Sequence, residues 1–286
     1  MSPKTKGILW LVTSAFAFAA MGSLVRLCDE CGEAVSCFQK GFFRSAIAFL
    51  IALSVFMRTL SAKTLPPKRV WGYLILRSLF GTVGIFANFY ALAVIPVADG
   101  QALNKTAPFF TVLFAWMFLG EKASRRQIAA IATAFIGMLL VVRPGFGFSF
   151  AGKAVARFWG IAGGVFAGAA YATLRKLALL KTDGAFVVLF FSAFSCLAAV
   201  PFTVAEFTPM NGAQIAVMLS AGAAAAVGQF GITLAYKFAA PKEIAVFDYT
   251  SIIFAALMGF SLFGQIPDFM SVIGFVVIIA AAFRLR

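Results

Sequence analysis

A chain of 286 residues that is 62% hydrophobic and only 12% charged carries more apolar surface than one soluble core can bury. Its solvent is therefore a bilayer, and the lack of any period-two alternation sets aside a membrane β-barrel. A net charge of +14 would suggest nucleic acid in a soluble protein, but here the basic residues mark membrane orientation, so no nucleic-acid partner is expected.

A spanning helix takes about 20 apolar residues. Ten such spans are predicted at 6–27, 34–57, 70–94, 98–119, 124–143, 157–179, 184–205, 213–239, 243–264 and 268–285. The first stays apolar as far as Leu27, longer than a cleavable signal. Cys28 and Cys31 follow it as a CxxC, with Cys37 nearby. Without a second pair or any histidine they make no zinc site and read as apolar thiols, with a loop disulfide as the alternative.

The second span carries Lys40 and Arg44, one turn apart on one face, where two cations need a carbonyl cluster, a lipid headgroup or a substrate anion between them. The third carries Arg77, close enough to the cytoplasmic end to snorkel to the interface. Gly81, Gly84, Asn88 and Tyr90 follow, and the span ends at Ile95-Pro96, where proline stops a helix. The fourth opens on Asn104-Lys105 and closes on Leu119-Gly120-Glu121. After the fifth, Arg143-Pro144-Gly145-Phe146-Gly147 breaks the chain.

The sixth span presents Gly160, Gly164 and Gly168 on one face with Gly163 beside them, a spacing that lets helix backbones meet closely as a static contact or as a moving seam. The eighth holds an alanine-rich run at 221–226, then Gln229 and Tyr236, and ends at Ala240-Pro241. The ninth holds Asp248 and Tyr249 and ends at Phe263-Gly264-Gln265. Asn88, Tyr90, Gln229 and Tyr236 are amides and phenols in apolar helices. They need partners, so they are expected to line a cavity or helix contacts rather than face lipid. The 35 phenylalanines are expected mostly to face lipid.

The ten spans read as one five-helix unit written twice. Asn104, Thr106, Pro108 and Gly120-Glu121 return 144 positions later as Asp248, Thr250, Ile252 and Gly264-Gln265. Trp10, Ala20 and Arg26 return 149 positions later as Trp159, Ala169 and Arg175. An odd number of spans per unit makes the second unit enter the bilayer from the opposite side. That is an inverted-topology repeat, which places a binding site near the midplane. With the N-terminus inside, 16 basic residues fall on the cytoplasmic side, 4 on the other and 4 within spans, so both termini are expected in the cytoplasm.

The ordered set Phe43-Arg44, Tyr90-Ala91-Leu92, Pro108 with Leu119-Gly120-Glu121, and Tyr249 with Phe263-Gly264-Gln265-Ile266-Pro267-Asp268 resembles the drug/metabolite transporter (DMT) superfamily, specifically proteins with two EamA-type domains. The resemblance covers essentially the whole chain. It implies an all-α membrane protein of ten transmembrane helices, with a first EamA-type five-helix repeat at 1–145 and a second at 154–286. It further implies a multi-pass protein of the cell inner membrane, moving amino acids or related metabolites. Relatives commonly carry glutamate at the position of Gln265, and an amide there suits a helix-end cap better than proton coupling.

Ionisable groups at bilayer depth are costly and mark function. The repeat puts Asn104 on Asp248 and Lys105 on Tyr249, so these four polar positions are expected to meet across a central cavity. There Lys105 and Asp248 suit the two ends of an amino-acid-like zwitterion, or each other, with a purely structural ion pair as the alternative. Arg44 stands between substrate contact and a structural role.

The leading expectation is a secondary transporter working by alternating access on a small-molecule substrate. Without a Walker loop, its energy comes from a gradient, an exchange or a coupled ion. Asp248 is the candidate site for a proton. The alternatives are a carrier for S-adenosylmethionine or a similar nucleoside metabolite, and a passive channel or scaffold. An enzyme is not expected, because no nucleophile–base pair, carboxylate dyad or metal-ligand set is present in the spans. No cofactor is implied, and the bundle fits a monomer or a homodimer.

Overall fold

The computed structural model describes residues 1–59, 66–95, 103–142 and 154–284. Among these, ten longer helices follow one another: α1 (Pro3–Glu30), α2 (Cys37–Thr59), α3 (Lys68–Val94), α4 (Ala107–Leu119), α5 (Arg125–Val142), α6 (Ala154–Leu179), α7 (Gly184–Ala205), α8 (Gly212–Phe238), α9 (Thr250–Phe263) and α10 (Phe269–Phe283). Seven helical stretches are long and apolar enough to cross a membrane, and α4 and α10 are shorter apolar helices. The protein is an all-α membrane protein. The inter-unit boundary at Arg143-Pro144-Gly145-Phe146-Gly147, and Pro96 of the expected turn after Ile95, lie outside the described residues.

Helix ends follow local chemistry. Ser2 caps α1 by accepting from the Thr5 amide at 3.1 Å, and Asp183 caps α7 by accepting from the Phe186 amide at 3.0 Å. Asn211 and Gln214 form a reciprocal capping box on α8. Asp268 caps α10 through the Ser271 amide at 2.9 Å. Two helices end on a left-handed glycine, Gly120 at φ 69° after α4 and Gly264 at φ 64° after α9.

The helices pack in a reciprocal scheme. α1 lies along α8 and α3 along α6; α2 pairs with α7 and α5 with α10; α4 packs on α6 and α1 on α9; α3 touches α7 and α2 touches α8. Adding five to one member of each contact and subtracting it from the other regenerates the set. Small residues let these backbones approach. Gly84 of α3 meets Gly163 and Ala167 of α6, Gly231 of α8 meets Trp10 and Ser14 of α1, and Gly137 of α5 abuts Gly274 of α10. The Ser14 hydroxyl reinforces the α1–α8 contact by donating to the Gly228 carbonyl at 2.7 Å.

Two main clusters form the core. One joins α1, α3, α6, α7 and α8 through residues such as Leu11, Leu74, Leu174, Phe186 and Ile232. The other joins α4, α5 and α10 to the segment before α9, through Val112, Ile131, Met138, Val246 and Ile278. Several phenylalanines bind helices together. Phe38, Phe86 and Phe202 pack mutually between α2, α3 and α7, and Phe56, Trp71, Phe186 and Phe190 do the same elsewhere.

Candidate functional site

The fourth and ninth spans are both interrupted, at matching places. Ahead of α4, Leu103-Asn104 is helical and Lys105-Thr106 is a turn. Ahead of α9, a single helical turn (Pro241–Ile244) leads into a 3-10 segment (Ala245–Tyr249). Each break is closed by the same bond. Thr106 Oγ1 donates to the Leu103 carbonyl at 2.6 Å, and Thr250 Oγ1 donates to the Phe247 carbonyl at 2.7 Å, 144 positions on. The helix ends repeat too: the Glu121 amide donates to the Ala115 carbonyl and the Gln265 amide to the Gly259 carbonyl. Helix interruptions at membrane depth are tolerated only where protein or a cavity satisfies the freed backbone groups.

The two breaks touch. Lys105 Nζ donates to Asp248 Oδ2 at 3.0 Å, with the side chains only 17% and 16% exposed. Tyr249, fully buried, returns a bond from its hydroxyl to the Lys105 carbonyl at 3.0 Å. Ser251 Oγ donates to the Asp248 carbonyl at 2.7 Å, which holds the acidic residue's backbone in place. The positive N-terminal end of α9 favours the Asp248 carboxylate, whereas Lys105 sits against the same kind of helix end and depends on its partner. Asn104 lies at the same break with its carbonyl against Gly164 of α6.

Beside this junction lies a buried polar layer. Tyr236 is enclosed next to the Tyr171 ring, 5.8 Å between centroids. Arg77 is 3% exposed, donates from Nη2 to Gln229 Oε1 at 3.1 Å and lies over the Phe191 ring at 4.0 Å. The snorkelling expected of Arg77 is therefore corrected. Gly81, one turn on, leaves the space into which its guanidinium folds, so it turns into the bundle. Arg44 is enclosed as well, at 6% exposure.

Other expected residues fall elsewhere. Lys40 does not share a counter-ion with Arg44; Asp29 at the end of α1 takes it at 2.6 Å. Asn88 packs against Gly163 of α6, with its side-chain oxygen buried. Tyr90 is 42% exposed. It lies two residues beyond Asn88, and at 3.6 residues per turn that puts it on the opposite side of α3 from the contact with α6.

Sequence reasoning also missed a second reciprocal feature. Arg175 Nε of α6 donates to Glu121 Oε1 at 2.9 Å, and its Nη1 donates to the Tyr236 carbonyl at 2.9 Å. At the matching positions Arg26 of α1 meets Gln265. Turned with its amide oxygen towards Arg26, Gln265 accepts from Nη1 at 2.6 Å and from Nη2 at 3.1 Å, while the guanidinium stacks 4.4 Å from Phe263. Both alignments needed to find these pairs were in the sequence: the offset of 149 relates the arginines and that of 144 their acceptors.

A multi-span helical bundle with an ion pair at two touching helix breaks has the build of a membrane transporter rather than of an enzyme. Residues 5–143 match the EamA-like transporter family. Over 284 residues the chain is 30% identical to the pseudopaline exporter CntI of Pseudomonas aeruginosa, covering 98% of this chain and 95% of that protein. It is 26% identical to a riboflavin transporter of Rhizobium johnstonii, covering 96% and 89%. A solved crystal structure of 18% sequence identity has the same fold, with a TM-score of 0.81 over 98% of this chain and 96% of the other. The chain belongs to the EamA-like transporter family and is a multi-pass membrane transporter.

Proposed function

We propose that the protein is a secondary transporter of the inner membrane that moves a small zwitterionic metabolite, such as an amino acid or a relative of one, by alternating access. The observation that carries this reading is the Lys105–Asp248 pair at the junction of two interrupted helices. Half-helix ends and freed backbone groups recur at the binding sites of carriers built from internal repeats. Lys105 offers an ammonium to a substrate carboxylate and Asp248 a carboxylate to a substrate ammonium, so a zwitterion replaces one ion pair with two. Relatives named for pseudopaline and riboflavin support a small organic metabolite as cargo.

The reciprocal packing and the matching bonds at Thr106 and Thr250 support two inverted five-helix repeats, 1–145 and 154–286. The charge bias supports cytoplasmic termini. Exchange between such halves opens the Lys105–Asp248 junction to one side at a time. A proton on Asp248 would release Lys105 from it, which makes this carboxylate the coupling candidate.

Counterflow in proteoliposomes preloaded with amino acids and related metabolites tests the function. Accumulation of label against one class is the expected result. Its absence for every class, from folded protein, overturns the reading. Single cysteines at Asn211 and Lys122, in a background without the native thiols, test the topology. Impermeant reagent is expected to label the first from outside and the second only from the cytoplasm, and labelling of both from one side sinks the inverted repeat.

A further inference from the structure

The enclosed charges of the bundle do not balance. Lys40 has Asp29, Lys105 has Asp248 and Arg175 has Glu121. Arg44 and Arg77 are the most deeply buried of these cations, and among the described residues neither has a carboxylate within ion-pair distance. Among the described residues, Arg44 Nε, Arg77 Nε and Nη1, and Ser78 Oγ are all enclosed without a hydrogen-bond partner. What Arg77 does have is neutral: the Gln229 amide oxygen and the face of Phe191.

The helices that carry these two cations, α2 and α3, are in contact. Burying a charge in a membrane protein is costly unless something pairs with it, and two like charges raise that cost. Arg44 stands about two turns into α2 and Arg77 about two and a half turns into α3. Both are therefore well inside the bundle rather than at an interface. The unmet atoms of the two arginines are N–H donors, and guanidinium donors are arranged to grip two oxygens of one oxyanion.

We propose that Arg44 and Arg77, with Ser78, form an anion subsite that takes a carboxylate or phosphate group of the transported substrate. This deepens the transporter reading and rests on it. The subsite is joined to the helix-break junction through α6, which packs on α3 and, at Gly164, against Thr106 and Asn104. The substrate's zwitterionic end lies on Lys105 and Asp248, and a further acidic group sits on the arginines. The same oxyanion chemistry belongs to a lipid phosphate, so the test separates the two sources.

Full-length protein in detergent is heated while succinate, inorganic phosphate or phosphatidylglycerol is added at constant ionic strength. A ligand that binds only the folded state raises the midpoint of unfolding. A rise with succinate or phosphate, lost in Arg44→Gln and in Arg77→Gln, is the expected result. Arg44→Lys and Arg77→Lys keep the charge but lose the fork, and are expected to weaken binding roughly tenfold. A rise with phosphatidylglycerol alone overturns the substrate subsite in favour of a lipid site. No rise with any probe, or an equal rise in all variants, also overturns it. Failure of this subsite leaves counterflow by the wild type intact, whereas failure of the transporter reading abolishes counterflow and leaves the stabilisation by small anions in place.

Discussion

Arg175 and Glu121 join α6 to the end of α4 through a 2.9 Å ion pair, both side chains 14% exposed, and tie the two halves of the chain together on the side where the sequence places the cytoplasm. Arg26 and Gln265 make the matching contact with a neutral acceptor. The two latches therefore differ in strength. Removing one partner of an enclosed charged pair strands the other. Arg175→Ala is expected to lower stability by about 2 kcal/mol, and Glu121→Gln, which reproduces the acceptor found at position 265, by about 1 kcal/mol. Thermal unfolding of the purified variants measures both. Equal stability of Arg175→Ala and the wild type would show that the pair contributes nothing.

Gly120 and Gly264 end α4 and α9 in the left-handed region, with nothing within 4 Å of where a Cβ would stand. The cost of an alanine there is conformational rather than steric. Gly120→Ala and Gly264→Ala are each expected to destabilise by about 1 kcal/mol. Because the two caps carry the same hydrogen bonds, the two losses should agree. A loss at one position only would mean that the local equivalence of the caps does not extend to their energetics.

Much of the fold is legible in the sequence because a run of about 20 apolar residues is a strong signal. Most predicted spans match the helices to within three residues. The fourth and ninth, predicted as continuous, are interrupted: 98–102 lie outside the described residues, and the closing helices begin at Ala107 and Thr250, since the turn at Lys105-Thr106 and the 3-10 segment before Thr250 leave no mark in hydropathy. Lys105 and Asp248 were legible through the repeat. Arg77 was not, because its depth along α3 is compatible with either snorkelling or burial. What decides it is Gln229, 152 residues away, and the gap over Gly81. Lys40 was misjudged for a similar reason: its partner Asp29 comes from the end of the preceding helix, beyond the reach of an argument about one helix face.

The glycine face of α6 permits a steric prediction. A Cβ at Gly168 would stand 2.8 Å from the Thr111 amide nitrogen and press on Phe110, so α4 must shift. Gly168→Ala is expected to destabilise by about 1–3 kcal/mol. Gly72, in α3 with open space around it, is the control: its replacement by alanine should leave stability unchanged or raise it by up to about 1 kcal/mol. Chemical denaturation of both variants against the wild type reads the difference. If the two substitutions behave alike, α6 and α4 are not in close contact.

The ion pair at the helix breaks makes the most direct functional prediction. Lys105 and Asp248 act on one another and, under the proposed mechanism, on opposite ends of one substrate, so their effects should not add. Lys105→Ala and Asp248→Asn are each expected to reduce counterflow by at least about tenfold, the equivalent of one lost charged hydrogen bond. The double variant should lose little more than the worse single one, because each substitution already disables the shared site. A purely structural pair predicts a different pattern: thermal stability falls with each single variant and recovers in the double, while the transport rate per folded molecule stays near that of the wild type. Measuring stability and counterflow on the same four proteins separates these outcomes. Normal transport in both single variants removes Lys105 and Asp248 from the substrate site.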